Sequence, residues 1–309
     1  MHVLNLVSST GTPLLQQQLP ELERQGVKST VLSVPGKYNP SGQRSISNYV
    51  HLWGTVLRHT IRNGDYDLIH ANYGLLAPIA LAQPSSLPVV CSLWGTDLYG
   101  NFGWAVRRAA RRCDAVVVMS EKMREDLGGD CVVIPHGIDF EKFKPRPQAE
   151  EREHLGWDPD AHHVLFPYSP RREVKDYPRA ERVISAVDDR VEESVYLQVV
   201  QGITHDKVAR YHNASDALLL TSRYEGMPNS VKEALACNLP VVSTDVGDVA
   251  RRLEGVRPSA VCDTDEELVD AMVDVLERGE RSNGREQIAD LRLERTVERL
   301  REVYRDVSQ

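Results

Sequence analysis

Four charged residues in the back half of the chain carry spacings suited to ligand binding. Glu225 and Glu233 stand eight positions apart, and Arg172 and Lys175 three apart upstream of them. Ionised carboxylates only accept hydrogen bonds, so the glutamates suit hydroxyl-rich groups. Two cations in one turn suit phosphate oxygens, and would stabilise a departing diphosphate as its charge develops. The glutamates sit within Asp216 to Val249, DALLLTSRYEGMPNSVKEALACNLPVVSTDVGDV. This stretch reads as a buried strand (217–221), a Gly/Pro loop (223–228), a short helix (230–237) and a second buried strand (240–244). Such a unit sets a helix N-terminus beside the carboxyl end of a strand, where α/β proteins bind ligands. Ser230 and Glu233 match the S-x-x-E capping pattern, which places the helix start independently. The loop residues Gly226, Met227, Pro228, Asn229 and Ser230 then face a ligand, with helix amides for a diphosphate and carboxylates for sugar hydroxyls. Read alone, Glu233 could equally be a helix cap, Glu225 a solvated charge, and Arg172 and Lys175 a basic surface turn, with Arg171 the second choice for the arginine.

The elements that must hold these residues alternate strand and helix. Apolar runs at 3–7, 29–34, 68–70, 89–93, 115–119 and 132–134 predict parallel strands. Helical stretches lie between them at 14–25, 47–62, 75–83, 104–112 and 121–127, so the first half is a doubly wound sheet. The tract 142–157 is charged, holds Pro145 and Pro147 and lacks an apolar period, which reads as a linker. A second sheet follows, with strands at 163–168, 195–200 and 259–262. Leu293, Val297, Leu300 and Val303 share one face of a final helix, 291–307.

Bulk properties bound the function. A chain of 309 residues accommodates two domains, and 41% hydrophobic residues without a long apolar run predict no membrane span. The start, MHVLNLVSSTG, reads as a core strand rather than a secretory signal. A net charge of −8 disfavours nucleic acid as partner. Cys91, Cys113, Cys131, Cys237 and Cys262 form no C-x-x-C, the pattern of buried reduced thiols in a cytosolic protein. The G-x-G-x-x-G fingerprint is absent, which counts against a dehydrogenase. Asp263-Thr-Asp265 precedes an amphipathic helix, so an N-cap at Thr264 or Asp265 is expected there and no metal site. No cofactor is expected either.

In the first half, Gly11 follows the first strand. The segment SLWGTDLYG offers Gly95 for close backbone approach and Asp97 as an acceptor for hydroxyls, with a helix-capping role for Asp97 equally open. Arg107, Arg108, Arg111 and Arg112 share one helix, either as a solvated face or as peripheral contact with an anionic membrane surface.

The segment EGMPNSVKEALACNLPVVSTDVG, with Glu225 and Glu233 flanking seven residues, resembles the signature of the retaining GT4-type glycosyltransferases of GT-B fold, the glycosyl transferases group 1. Asn238 departs from the Gly usual there, a change Asn tolerates in a left-handed helix end. IPHGIDFEKFKP resembles the family's domain-closing turn, with His136 replacing Asn. Trp94 replaces a His that touches the donor sugar in many relatives and leaves a stacking wall. The resemblance implies two Rossmann-like doubly wound parallel-sheet domains facing each other across a cleft, with the last helix crossing back to the first. Their expected bounds are 1–144 plus 291–309 for an acceptor-binding domain and 145–290 for a nucleotide-sugar-binding domain.

The implied activity is transfer of a sugar, hexosyl in type, from a nucleotide-diphosphate sugar to a hydroxyl of a saccharide or lipid-linked acceptor in polysaccharide biosynthesis. It would proceed with retention and without metal, the sugar nucleotide being co-substrate. Arg172 and Lys175 would grip the phosphates, Glu225 the sugar hydroxyls, Glu233 the ribose, and Gly202 would admit the base. Gly11, Trp94, Gly95, Asp97 and His136 form the acceptor or sugar side. The expected place is the cytoplasm, with the inner membrane face as a peripheral station. Two other readings stay open: a nucleotide-sugar epimerase of the same fold, revealed by an epimer from donor alone, and a non-catalytic nucleotide-sugar-binding subunit, revealed by a Glu225→Ala variant without effect.

Overall fold

Parallel strands need crossover connections, and the alternating pattern supplies a helix for nearly every one. The computed structural model describes residues 1–36, 45–62 and 64–309. The chain divides into two units, Met1–Gly137 with Leu293–Gln309, and Ile138–Arg292.

The first unit runs β1 (His2–Val7), α1 (Pro13–Arg24), β2 (Lys28–Ser33), α2 (Ile46–Arg62), β3 (Leu68–Ala71), α3 (Ala77–Leu81), β4 (Val89–Leu93), α4 (Gly103–Ala110), β5 (Ala115–Val118), α5 (Glu121–Leu127) and β6 (Val132–Val133). Its strands form one parallel sheet in the order β2-β1-β3-β4-β5-β6. The second unit runs α6 (Gln148–Leu155), β7 (His162–Phe166), α7 (Tyr177–Asp188), β8 (Val195–Val199), α8 (His205–Ala214), β9 (Ala217–Leu220), α9 (Asn229–Ala236), β10 (Val241–Thr244), α10 (Val249–Leu253), β11 (Ala260–Cys262), α11 (Asp265–Arg278) and α12 (Gly284–Gln287). Its parallel sheet has the order β11-β10-β9-β7-β8. The central strand β9, Ala-Leu-Leu-Leu, is buried throughout, as a strand covered by helices on both faces must be.

The last helix, α13 (Leu293–Val307), belongs to the first unit and packs against α1. The apolar stripe expected of it, Leu293, Val297, Leu300 and Val303, is buried in that unit's core with Tyr304. Each such side chain contributes about 1.5–3 kcal/mol. Gly137 permits the close approach, because a Cβ there would meet Leu293 Cα at 2.7 Å.

The tract 142–157 is not a linker. Phe143 is fully buried in the second unit, and α6 is fixed by polar contacts instead of an apolar stripe. Arg152 bonds both oxygens of Asp216 at 2.7 and 2.6 Å, and Gln148 Nε2 reaches Asp216 at 2.9 Å. The first unit therefore ends at Gly137, short of residue 144, and α13 begins at Leu293 rather than 291.

Candidate active site

In the second sheet the chain leaves β7 for β8 on one side, then returns to β9 on the other. That reversal opens a crevice at the carboxyl ends of β7 and β9, the place where open α/β sheets bind ligands. The turn after β7 carries Tyr168, Arg172 and Lys175, and the loop after β9 carries Ser222 and Glu225. Thr221 Oγ1 donates to the carbonyls of Lys175 (2.9 Å) and Asp176 (3.1 Å), and Arg223 N donates to Val174 O at 2.9 Å. These bonds stitch the two loops together.

Lys175 and Glu225 consequently form an ion pair on Oε1, which also accepts from Ser222 Oγ at 2.7 Å. Among the described residues no hydrogen bond reaches Glu225 Oε2, which stays available to a hydroxyl. The Lys175 ammonium lies 3.5 Å from the centroid of the Tyr168 ring. Burial lowers the Lys175 pKa, and the Glu225 carboxylate opposes that shift. Arg172 is exposed, one turn from Lys175, with no side-chain bond among the described residues. Two cations at one crevice, one held and one open, can grip a polyanion without a metal ion.

Glu233 sits apart from that pair. Its Oε1 accepts from His205 Nε2 at 2.9 Å, and its Oε2 lies 3.6 Å from His212 Nε2, too far for a hydrogen bond. Burial alone would raise its pKa; the histidines reverse this and hold it at about 2. His205 Nδ1 in turn meets Lys142 Nζ at 2.8 Å, and the Phe143 ring packs against both imidazoles. The S-x-x-E pattern is not a capping box. The N-cap is Pro228, no side chain caps α9, and Ser230 in the first turn bonds Tyr168 Oη instead. Pro fixes the entry dihedral there and so displaces the pattern by two residues. The uncapped first-turn amides of Asn229 and Ser230 remain for an anion. A capping box does occur at Thr264 and Glu267, within the D-x-D stretch, while Asp265 pairs with Arg179.

Tyr168 spans the two groups: burial first, then Glu225 and Glu233, push its hydroxyl pKa up. The loop leading to α9 is shaped by Gly247 (φ 62°), whose added Cβ would collide with the Gly226 carbonyl and meet that of Glu225 at 3.0 Å. Asp248 N donates to the same Gly226 oxygen at 3.2 Å. Met227 is half-buried beside it. Gly202, in the loop after β8, needs its glycine for φ 70° rather than for space.

In the first unit, Trp94 stands edge-on to His136, ring centroids 5.0 Å apart, so two of the expected residues meet. Gly95 takes φ 98° with open space around it. Asp97 has a different place from the one expected. It is buried and accepts from the amides of Gly74 (2.7 Å), Trp94 (2.9 Å) and Leu98 (3.0 Å), and burial raises its pKa against those bonds. It braces the loop after β4 against the turn after β3; it neither faces a ligand nor caps α4, whose N-cap is Phe102. Gly11, after β1, has only ordinary room, its Cβ position lying 3.7 Å from Ser9 Oγ. Of the arginine cluster, Arg107 bonds the Asp126 carbonyl, and Arg108, Arg111 and Arg112 are exposed.

The model of glycosyltransferase family 4 matches residues 6–142, and that of glycosyl transferases group 1 matches residues 174–278. The chain belongs to these glycosyltransferases. Over 211 residues it is 30% identical to TuaC of Bacillus subtilis, named as a teichuronic acid biosynthesis glycosyltransferase; the match spans 60% of this chain and 54% of that protein. It is 24% identical over 273 residues to the lipopolysaccharide core biosynthesis mannosyltransferase LpsB of Rhizobium meliloti, covering 79% of this chain and 76% of that one. HepE of Anabaena, solved with UDP-glucose, superposes with a TM-score of 0.70 at 16% identity over 98% of this chain and 99% of that one, a shared GT-B fold.

Sequence reading missed four of the groups that set this glycosyltransferase site. Tyr168, Ser222, His205 and His212 touch the charged residues only through folding. The spacing of His205 and His212, seven positions apart and so on one face of α8, was the available signal.

Proposed function

We propose that this chain is a retaining glycosyltransferase that moves a sugar from a nucleotide diphosphate to an acceptor hydroxyl. The observation that carries the reading is the Lys175–Glu225 pair at the β7/β9 crevice, with Arg172 open beside it. The diphosphate binds Arg172, Lys175 and the first-turn amides of α9. Glu225, with Oε2 unoccupied, takes sugar hydroxyls. Glu233, kept ionised by its histidines, takes the ribose hydroxyls, and the open backbone at Gly202 admits the base. The second unit is thus the donor-binding domain and the first the acceptor-binding one, with Trp94, Gly95, His136 and Gly11 on the acceptor side.

In the reaction the bond from the anomeric carbon to the phosphate oxygen breaks as the acceptor oxygen bonds to the same face. The acceptor proton passes to the leaving phosphate, whose charge Arg172 and Lys175 neutralise in place of a metal ion. HepE's complex with UDP-glucose supports a uridine donor, and the names of TuaC and LpsB support a cell-envelope polysaccharide or lipid-linked saccharide as acceptor.

Thermal denaturation against a panel of nucleotide sugars tests this. The right donor at about a hundredfold excess over Kd stabilises by about 2.7 kcal/mol, a shift of several degrees. No shift with any donor sinks the reading, and conversion of donor alone to an epimer replaces it. The anomeric configuration of the product, read by NMR, tests retention.

A further inference from the structure

Lys142 has no part in the transfer chemistry, yet it is tied to the site. Its ammonium lies 2.8 Å from His205 Nδ1, and His205 Nε2 lies 2.9 Å from Glu233 Oε1, so side chains from three segments of the second unit form one chain. An ammonium only donates, so Nδ1 must accept, and the proton of a neutral imidazole is left on Nε2, aimed at the carboxylate. Burial lowers the Lys142 pKa, while Asp206, Glu233 and Asp139 oppose that shift. An amine is ordinarily the stronger base by about four pH units, so the imidazole is the neutral partner. The fully buried Phe143 ring backs it, ring centroids 5.4 Å apart.

The arrangement differs from an ordinary salt bridge. A lysine or arginine placed directly on Glu233 would neutralise it and compete with a ligand. A neutral imidazole instead fixes the carboxylate through one lone pair of Oε1 and leaves its charge for other donors. Among the described residues Oε2 accepts no hydrogen bond, and it stands 3.6 Å from His212 Nε2. His212 is completely buried, and neither ring nitrogen has a hydrogen-bond partner among the described residues. A buried polar group left unpaired is costly, and a shift of Oε2 by about 0.7 Å would satisfy this one. One oxygen is therefore held and the other has a place to settle. A vicinal diol, with two hydroxyl donors side by side, fits a carboxylate presented in this way, one hydroxyl to each oxygen.

We propose that His205, oriented by Lys142, is a positioning residue that presents Glu233 to the cis-diol of a ribonucleotide and so makes the site discriminate against 2′-deoxyribonucleotides. The inference rests on the donor reading and adds to it the selection of ribose. Binding of UDP and GDP, and of their 2′-deoxy counterparts, is measured by titration calorimetry on the wild type and three variants. The ribonucleotide that binds should do so at least about tenfold more tightly than its deoxy counterpart, the worth of a hydrogen bond to a charged group. His205→Ala should lose about tenfold for the ribonucleotide and little for the deoxynucleotide, so that the preference falls to about twofold. In His205→Gln the side-chain amide can both accept from Lys142 and donate to Glu233, and most of the preference should return. Lys142→Met, which removes no group bonded to Glu233, should reduce the preference about threefold. Equal affinity of the wild type for both sugars, a His205→Ala variant that weakens both by one factor, a glutamine variant no better than alanine, or a Lys142→Met variant with the full preference each overturns the proposal. Failure of both ribonucleotides to bind overturns the donor reading with it, whereas tight binding without ribose preference leaves that reading standing and removes this one.

Discussion

Lys175 gives its ammonium to Glu225 while lying 3.5 Å over the centre of the Tyr168 ring. The cation is desolvated, paired and stacked before any ligand arrives. In the proposed reaction an incoming diphosphate has to compete with that carboxylate, and the carboxylate it releases would be left beside the sugar.

Lys175→Met should lower kcat/KM by about 10²–10³ and should also destabilise the fold, because it leaves Glu225 without its partner. Adding Glu225→Gln should restore much of the stability and none of the turnover. Steady-state kinetics and urea unfolding on the three variants separate the two effects; a double variant that regains activity would remove Lys175 from the chemistry.

Glu233 yields a pH dependence of defined sign. Its folded pKa of about 2 lies below the usual 4.5, so its contribution is complete above about pH 4.5 and is lost as pH falls through about 2. The magnitude is of order 3 kcal/mol. Glu233→Gln should therefore cost most at pH 7 and progressively less toward pH 3, read from urea midpoints at each pH.

His70 acts in the same direction from a different cause. Buried between Ser92 Oγ (2.8 Å) and Tyr304 Oη (2.6 Å), it is held by desolvation at a pKa of about 3. The unfolded chain binds a proton near pH 6.5 that the native chain refuses, so stability falls as pH drops from 6.5 to about 3, by up to about 4–5 kcal/mol. His70→Gln should be less stable than wild type at pH 7 yet lose less between pH 6.5 and 3.

Asn238 ends α9 at φ 55° and its Oδ1 accepts from Arg285 N at 2.9 Å. Asn238→Ala should cost about 2 kcal/mol, through left-handed strain and a lost hydrogen bond. Asn238→Gly relieves the strain and should cost about half as much. Thermal melts of the two variants make the comparison, and an alanine variant as stable as the glycine one would contradict it.

What was legible in the sequence follows from what is local. The stripe on α13 and the apolar run of β9 repeat with the periods of helix and strand, so their burial could be read directly. The left-handed end at Asn238 and the cap at Thr264 are also short-range and came through. Helix α6 did not, since Arg152 and Gln148 anchor it through Asp216, more than sixty positions away. Asp97 was ambiguous for a related reason: its main partner, the Gly74 amide, comes from another loop. Glu233 looked like a cap because its neighbours fit the pattern, while the histidines that hold it sit on α8.

Gly247→Ala should act on donor binding as well as on the fold. The new Cβ has the Gly226 carbonyl in its way and a positive φ to bear, so the loop carrying Glu225 has to shift. The expected outcome is a protein that melts several degrees lower and gains no further stabilisation from the donor that protects the wild type.

Tyr304 leaves the ribosome 234 positions after His70, yet it completes the polar cluster around that imidazole. Until α13 emerges, the nascent first unit has an imidazole and a serine hydroxyl open to water and a bare groove beside α1. The second unit, contiguous in sequence, needs nothing still to be synthesised beyond residue 292. Maturation of these two units therefore runs against the usual N-to-C order: the half made later is free to finish earlier, and the half made earlier waits for α13.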